Sequence, residues 1–156
     1  MTELKKGDPA PDFEAEDGDG KVWRLRDLRG QKVVLYFYPA DDTPGCTAEA
    51  CDFRDNHARF IGAGYVVLGV SPQDADSHRA FSEKHSLPFP LLIDADHEIA
   101  GRYGAWGERK MYGNTFEGII RSTFVIDEGG HIDQALYNVR AKGHVERLVN
   151  DLALSR

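Results

Sequence analysis

Six consecutive apolar residues, Val33-Val34-Leu35-Tyr36-Phe37-Tyr38, end abruptly at Pro39. A run of this length, rich in β-branched and aromatic residues, predicts a strand buried on both faces of a sheet. A strand with no solvated face requires a layer of structure on each side. The run therefore predicts a layered α/β fold around a central sheet.

The rest of the chain alternates between strand and helix patterns. Further strands are predicted over 13–16 and 22–25, which flank a turn at 17–20, and over 65–70, 90–93, 122–126 and 131–139. Helices are predicted from Pro44 to Phe60, over 74–85, after Asp96 and near the C-terminus, and 104–118 is predicted to be a loop. This order indicates an α/β sandwich with a mixed sheet, formed by one domain over 1–156.

Charge and hydropathy exclude several classes of protein. With 26 acidic and 19 basic residues, the chain of 156 residues has a net charge of −7 and no basic stripe, so no nucleic-acid partner is expected. No run approaches the roughly 18 apolar residues of a membrane span, and the N-terminus lacks the apolar segment of a secretion signal. We therefore expect a cytoplasmic protein without a membrane partner.

The predicted helix after the first buried strand begins beside a cysteine. Thr43 can cap this helix and Pro44 suits its first turn, which places Cys46 in that turn. The free backbone N–H groups and the positive end of the helix dipole favour a thiolate there. Gly45 lets the backbone approach a small substrate. A cysteine could also begin the apolar stripe as a small buried side chain, but this strand-to-helix turn favours a nucleophile.

The chain has two cysteines, and Cys51 follows Cys46 by five positions. In a cytosolic protein such a pair is more often catalytic or metal-binding than a structural disulfide. In an intact helix their Cα atoms would be roughly 8–9 Å apart, whereas a disulfide needs less than about 7 Å. A bond between them therefore requires the helix to unwind locally. Spacing alone leaves two unrelated thiols as an alternative.

Four segments together resemble one family, the peroxiredoxins, and within it the bacterioferritin-comigratory (PrxQ) subgroup. They are the spacing of Pro39, Thr43 and Cys46, the run Gly45-Cys46-Thr47-Ala48-Glu49-Ala50-Cys51, the segment Gly118-Ile119-Ile120-Arg121-Ser122-Thr123-Phe124-Val125-Ile126-Asp127, and the opening Gly7-Asp8-Pro9-Ala10-Pro11-Asp12-Phe13. The resemblance covers nearly the whole chain. It implies a thioredoxin-like three-layer α/β/α sandwich with a central mixed sheet and an N-terminal β-hairpin extension.

The resemblance also implies a site and a reaction. It assigns Cys46 as the peroxidatic nucleophile, Cys51 as the resolving cysteine, and Pro39, Thr43 and Arg121 as their catalytic partners, with Gly45 and Glu49 at the substrate. Hydrogen peroxide or an organic hydroperoxide would oxidise Cys46 to a sulfenic acid, and an intramolecular disulfide with Cys51 would follow. A thioredoxin-type reductant would restore both thiols, as in an atypical two-cysteine enzyme. The resemblance implies a monomer that needs no cofactor or metal.

Two other functions remain open from the residues. A thioredoxin-fold disulfide reductase would use two cysteines separated by two residues, and here four intervene. A copper chaperone on the same fold would bind the metal with two cysteines and a distant histidine. His57 lies on the apolar stripe and is expected in the core, whereas the other histidines are expected on the surface: His78, His85, His97, His131 and His144.

Two smaller groups of residues are predicted to be structural. Asp94 and Asp96 precede the predicted short helix and suit its capping better than acid–base chemistry. Six aromatic residues are predicted to pack in the core or line a pocket: Tyr36, Phe37, Tyr38, Trp106, Tyr112 and Phe116.

Overall fold

A computed structural model describes residues 3–111 and 113–154 of the chain. Its strands are β1 (Glu14–Glu16), β2 (Val22–Arg24), β3 (Lys32–Phe37), β4 (Tyr65–Ser71), β5 (Leu91–Ile93), β6 (Trp106–Met111), β7 (Asn114–Ile119), β8 (Ser122–Ile126) and β9 (Ile132–Leu136). Five of them form a sheet in the order β5-β4-β3-β8-β9, in which β4 is parallel to both β3 and β5. The neighbouring pairs β3–β8 and β8–β9 are antiparallel. The predicted mixed sheet is confirmed.

Helices and hairpins cover both faces of this sheet. The helices are α1 (Pro44–Asp55), α2 (His57–Gly62), α3 (Ala75–His85), α4 (Glu98–Arg102) and α5 (His144–Asp151). One core cluster joins the sheet to α1, α2, α3 and α5, and the other joins it to the β1–β2 hairpin, α4 and the base of the β6–β7 hairpin. The three-layer thioredoxin-like arrangement and its N-terminal hairpin are confirmed.

The central strand β3 belongs to both cores, as its apolar sequence predicts. Val33, Leu35 and Phe37 pack into the cluster under the hairpins. Val34 and Tyr36 point to the opposite face and pack under the helices. Because side chains alternate along a strand, only an uninterrupted apolar run can serve both layers.

The first long helix is shorter than the sequence predicts. The prediction of one continuous helix from Pro44 to Phe60 is wrong, because the helix is interrupted at Asn56 and divides into α1 and α2. The Asn56 side chain donates to the Asp52 carbonyl (2.8 Å), and the residue adopts φ −107° and ψ 4°. An asparagine side chain that bonds its own backbone competes with helix continuation.

The predicted loop over 104–118 is also wrong, because β6 and β7 form an antiparallel hairpin there. Gly113, with φ +80°, lies in the turn that joins them. Most described residues of β7 are exposed, and Phe116 retains 42% of its surface. An exposed ribbon lacks the apolar alternation by which a strand is recognised in a sequence.

Several side chains lie elsewhere than predicted. His78 and His144 are buried rather than on the surface, and His57 is half-buried rather than in the core. For both buried histidines the sequence shows the residue type, but a distant element decides its surroundings. Asp94 caps α4 as predicted, by accepting from the backbone N–H groups of the second and third residues of that helix.

The aromatic residues divide between core and surface. Tyr36, Phe37 and Tyr38 are buried as predicted, and Trp106 is half-buried. Phe116 is exposed, so its predicted packing is wrong, and Tyr112 lies outside the described residues. Across the described ranges, no helix combines the length and apolar character needed to cross a membrane.

Candidate active site

The site forms where β3 ends and α1 begins. Thr43 occupies the N-cap position of α1 in extended conformation, and Pro44 is the first helical residue, as predicted. The Thr43 hydroxyl does not cap the helix but donates to the Ala40 carbonyl (3.1 Å). The first intrahelical bond runs from Thr47 N–H to the Thr43 carbonyl (2.8 Å). The backbone N–H groups of Gly45 and Cys46 precede that bond and remain available to an anion.

Arg121 reaches this helix start through the register of the sheet. β8 runs antiparallel to β3, and Ser122 pairs with Phe37 at the end of β3. Arg121 directly precedes β8 and therefore lies beside the start of the loop to α1. Its carbonyl accepts a bond from Val139 N–H (2.9 Å), which fixes the backbone at this point.

The guanidinium of Arg121 contacts the sulfur of Cys46. Arg121 Nη2 donates to Cys46 Sγ at 3.3 Å, and Cys46 is 1% exposed. A permanent positive charge at this distance stabilises negative charge that develops on the sulfur. The helix dipole acts in the same direction, because Cys46 lies in the first turn of α1.

Glu49 binds the other branch of the guanidinium. Arg121 Nη1 donates to Glu49 Oε1 at 2.6 Å, and Glu49 is fully buried. Burial raises the pKa of Glu49 to about 7, although Arg121 opposes the shift. Burial alone would lower the pKa of Arg121, but Glu49 and Cys46 raise it. The guanidinium therefore stays charged and is held in a fixed orientation toward the sulfur.

Known proteins with similar sequences and structures place this chain in a family. The sequence profile of the AhpC/TSA family matches residues 6–135. Peroxiredoxin Bcp of Bacillus subtilis is 44% identical over 149 residues, which cover 96% of this chain and 95% of the relative. The chain belongs to the AhpC/TSA family.

Within that family the chain is a peroxiredoxin of the Bcp/PrxQ group, and hence a thiol-dependent peroxidase. A cysteine-to-serine mutant of PrxQ from Xylella fastidiosa superposes with a TM-score of 0.91 at 32% identity, covering 98% of both chains. The bacterioferritin comigratory protein of Xanthomonas campestris superposes with a TM-score of 0.85 at 36% identity, covering 90% of both chains. That structure was determined to explain alkyl peroxide reduction by the Xanthomonas protein.

The remaining predicted residues of this peroxiredoxin lie in the loop and helix around Cys46. Pro39 and Thr43 are half-buried in the segment between β3 and α1. A Cβ atom added to Gly45 would lie 3.3 Å from Arg121 Nη2 and 3.6 Å from Ala141 Cβ. The absence of a side chain at Gly45 therefore leaves space directly beside the guanidinium.

Cys51 lies in the same unbroken helix as Cys46, and both cysteines are free. The buried face of α1 carries Cys46, Glu49, Ala50 and Phe53, whereas Cys51 is half-buried. The intact α1 therefore separates the two sulfur atoms, as the five-residue spacing predicts. The described structure has the helical state expected of the reduced peroxiredoxin.

Sequence reasoning missed one buried histidine near the site. His144 Nε2 and Thr123 Oγ1 are 2.8 Å apart, and Thr123 is two residues beyond Arg121. Burial, aided by the charge of Arg121, lowers the pKa of His144 to about 4. His144 is therefore neutral at pH 7 and adds no second cation near Arg121. Only the packing of α5 against α1 reveals this neighbour.

Proposed function

We propose that Cys46 of this peroxiredoxin attacks hydroperoxides, that Cys51 resolves the product, and that a thioredoxin-type dithiol recycles the pair. The contact of 3.3 Å between Arg121 Nη2 and Cys46 Sγ, at the start of α1, carries this proposal. The contact places the nucleophilic sulfur of Cys46 directly beside the fixed positive charge of Arg121. The half-buried Thr43 and Pro39 border the same helix start.

In the first step the Cys46 thiolate attacks one peroxide oxygen. An S–O bond forms and the O–O bond breaks, so that the sulfur loses two electrons and the peroxide gains them. The leaving alkoxide or hydroxide takes up a proton from solvent, and Cys46 becomes a sulfenic acid. Arg121 and the backbone N–H groups of Gly45 and Cys46 stabilise the charge that develops on the oxygens, and the Thr43 hydroxyl joins them once it turns from the Ala40 carbonyl toward the substrate.

In the second step the Cys51 thiol condenses with the Cys46 sulfenic acid. A disulfide forms and water leaves. The reaction requires the first turns of α1 to unwind, because the intact helix holds the two Cα atoms roughly 8–9 Å apart. Both cysteines lie within α1, so this disulfide can form inside one chain. A monomer is therefore sufficient for the cycle.

In the third step an external dithiol reduces the disulfide by thiol–disulfide exchange. It becomes oxidised while Cys46 and Cys51 regain their thiols, and α1 re-forms. We propose a thioredoxin-type donor in the cytoplasm, where such dithiols are kept reduced. No step requires a cofactor or metal on this chain. The alkyl peroxide reduction of the Xanthomonas relative supports organic hydroperoxides as substrates beside hydrogen peroxide.

The two competing functions fit this geometry less well. A disulfide reductase would need cysteines that can bond within an intact helix start, and the spacing of Cys46 and Cys51 does not allow this. A copper chaperone would need Cys46 to face a cation, but the guanidinium of Arg121 already lies against its sulfur. A second positive charge at that sulfur would be repelled.

Stopped-flow measurement of peroxide consumption tests the proposal. Cys46→Ser should abolish fast consumption. Cys51→Ser should still consume one equivalent of peroxide but should not turn over with thioredoxin and thioredoxin reductase. Normal peroxide consumption by Cys46→Ser would reject the proposal. Stoichiometric copper binding without peroxide turnover by the wild-type protein would favour the chaperone instead.

A further inference from the structure

A buried polar cluster lies directly beside the site, in the loop that joins β3 to α1. The Asp41 carboxylate accepts bonds from Tyr38 Oη (2.6 Å) and Ser77 Oγ (2.7 Å), and its Oδ2 lies 2.7 Å from His78 Nδ1. Side-chain exposure is 3% for Asp41 and 1% for His78. A buried carboxylate without such partners would be strongly destabilising, so the cluster fixes Asp41 in one place.

The second nitrogen of His78 connects the cluster to β5. His78 Nε2 lies 2.9 Å from the Leu92 carbonyl, which can only accept a hydrogen bond. His78 Nε2 therefore donates to this carbonyl, while Nδ1 shares a hydrogen bond with the Asp41 carboxylate. Burial would raise the pKa of Asp41, but the bonds from His78 and Tyr38 hold it below its ordinary value. The structure therefore contains a buried, hydrogen-bonded Asp41–His78 pair.

This pair connects the loop to two elements that do not take part in the reaction. Ser77 and His78 belong to α3, and Leu92 belongs to β5. The next loop residue, Asp42, adopts a left-handed conformation with φ +58°, which is unfavourable for a residue with a side chain. An ion pair of 2.9 Å between Asp42 and Lys84, also in α3, helps to hold it there.

We propose that Asp41 and His78 are positioning residues for peroxide attack. Through the loop backbone they hold Pro39, Thr43 and the start of α1 in register with Arg121. Asp41 is two residues from Pro39 and two from Thr43, so a shift of its carboxylate displaces both. This inference rests on the proposed peroxidase function and extends it to two residues that do not touch the substrate.

The position of the pair predicts which step it affects. His78 belongs to α3, and its hydrogen-bond partners Asp41 and Leu92 lie outside α1, so α1 can unwind without breaking these bonds. Loss of the pair should therefore slow the oxidation of Cys46 by peroxide and leave the condensation of Cys46 with Cys51 largely unchanged. A residue that merely stabilised the fold would not separate these two steps.

Two substitutions of Asp41 distinguish the effect of its hydrogen bonds on the loop from the effect of its negative charge. In Asp41→Asn the carboxamide oxygen can still accept from Tyr38, and its NH2 group can donate to Ser77 and to His78 Nδ1. In this arrangement His78 Nδ1 accepts the bond, and its Nε2–H still donates to the Leu92 carbonyl. We expect Asp41→Asn to retain the wild-type rate within about threefold. Asp41→Ala removes every bond, and we expect it to lower the second-order rate constant for Cys46 oxidation by tenfold or more.

Transient kinetics with hydrogen peroxide, followed by tryptophan fluorescence and acid-quench mass spectrometry, measures both steps on the full chain. Asp94→Asn serves as a matched control, because it perturbs a buried carboxylate that caps α4. It should lower thermal stability without slowing Cys46 oxidation. If Asp41→Ala does not fold, His78→Gln replaces it, with the same tenfold loss expected, since Gln donates to only one of the two acceptors at a time.

Three results would reject the positioning role: an unchanged oxidation rate in Asp41→Ala and His78→Gln, equal losses in both steps, or an equal loss in Asp41→Asn and Asp41→Ala. In all three cases the wild-type protein would still reduce peroxide. A wild-type protein that consumes no peroxide would instead reject the proposed function, and the positioning role with it.

Discussion

Arg121 and Cys46 are 75 residues apart in the chain, yet Nη2 of one donates to Sγ of the other at 3.3 Å. The antiparallel register of β3 and β8 creates this contact, because Phe37 and Ser122 are directly paired. The same guanidinium binds Glu49, one turn along the helix from Cys46. Each of the two terminal nitrogens of Arg121 thus has its own partner, and the guanidinium is oriented toward the sulfur before a substrate binds.

Substitution of Arg121 tests the value of this contact. Arg121→Met should slow Cys46 oxidation by roughly 10–100-fold, since a charge-assisted bond to the reacting group contributes on the order of 1.5–3 kcal/mol. Arg121→Lys should slow Cys46 oxidation nearly as much, because an ammonium lacks the planar, forked donor group that binds Cys46 and Glu49 at the same time. Stopped-flow oxidation of each variant is the measurement.

Arg26→Met is a suitable control for this comparison, because Arg26 is exposed and lies 3.5 Å from the exposed Asp12. It should oxidise at the wild-type rate. Wild-type rates in Arg121→Met would show that the guanidinium contributes nothing to peroxide attack.

Gly45→Ala should reduce activity without reducing stability. The new Cβ would lie 3.3 Å from Arg121 Nη2, so the guanidinium must shift by a few tenths of an ångström, and the shift disturbs its bond to the sulfur. Alanine is the better helix former by about 1 kcal/mol, so the unfolding midpoint should stay equal or rise. We expect a several-fold lower rate of Cys46 oxidation by stopped flow, with no loss in thermal unfolding temperature.

Gly62→Ala provides the comparison for Gly45, because no atom lies within 4 Å of a Cβ at that position. It should leave the rate of Cys46 oxidation at the wild-type value, and its unfolding temperature should stay equal or rise, because Gly62 is also a helical residue. If Gly45→Ala oxidised as fast as Gly62→Ala, the space beside Arg121 would have no role in catalysis.

Glu49 should make stability depend on pH in an unusual direction for a carboxyl group. Its pKa rises from the ordinary 4.5 to about 7 in the folded protein. Between these values the folded state binds more protons than the unfolded state, so stability decreases as pH rises. The full shift is worth on the order of 3 kcal/mol.

Urea unfolding of the wild type and Glu49→Gln at pH 5 and pH 8 measures this effect. Glutamine does not titrate at position 49, so the difference between the two proteins isolates the carboxyl group. The wild type should lose stability relative to Glu49→Gln as pH rises from 5 to 8. A constant difference, or one of the opposite sign, would contradict a Glu49 pKa that burial raises more than Arg121 lowers it.

Much of the fold and of the site can be predicted from local sequence. The run 33–38 predicts β3 because its side chains must be buried on both faces. The segment from Thr43 to Cys46 predicts the helix start because proline and the N-cap preference act within a few residues. Those signals are local, so a single sequence contains them. The single-domain organisation over 1–156 stays a prediction.

Other features depend on contacts that no local pattern contains. The roles of Asp41 and His78 require α3 to pack beside the loop after β3, and a lone histidine shows nothing of this in the sequence. Four consecutive residues of β7, over 114–117, are exposed, so this strand lacks the period-two pattern. Resemblance to a family identified Arg121, whereas spacing alone does not distinguish it from a surface arginine.

The most direct test of the proposed cycle is hydrogen–deuterium exchange combined with disulfide mapping by mass spectrometry, after one equivalent of hydrogen peroxide. We expect a disulfide between Cys46 and Cys51 of the same chain, with amides over 46–51 that exchange faster than in the reduced protein. Cys51→Ser should stop at the sulfenic acid and retain a protected helix. A disulfide between two chains, or one formed while α1 stays as protected as in the reduced protein, would contradict this account.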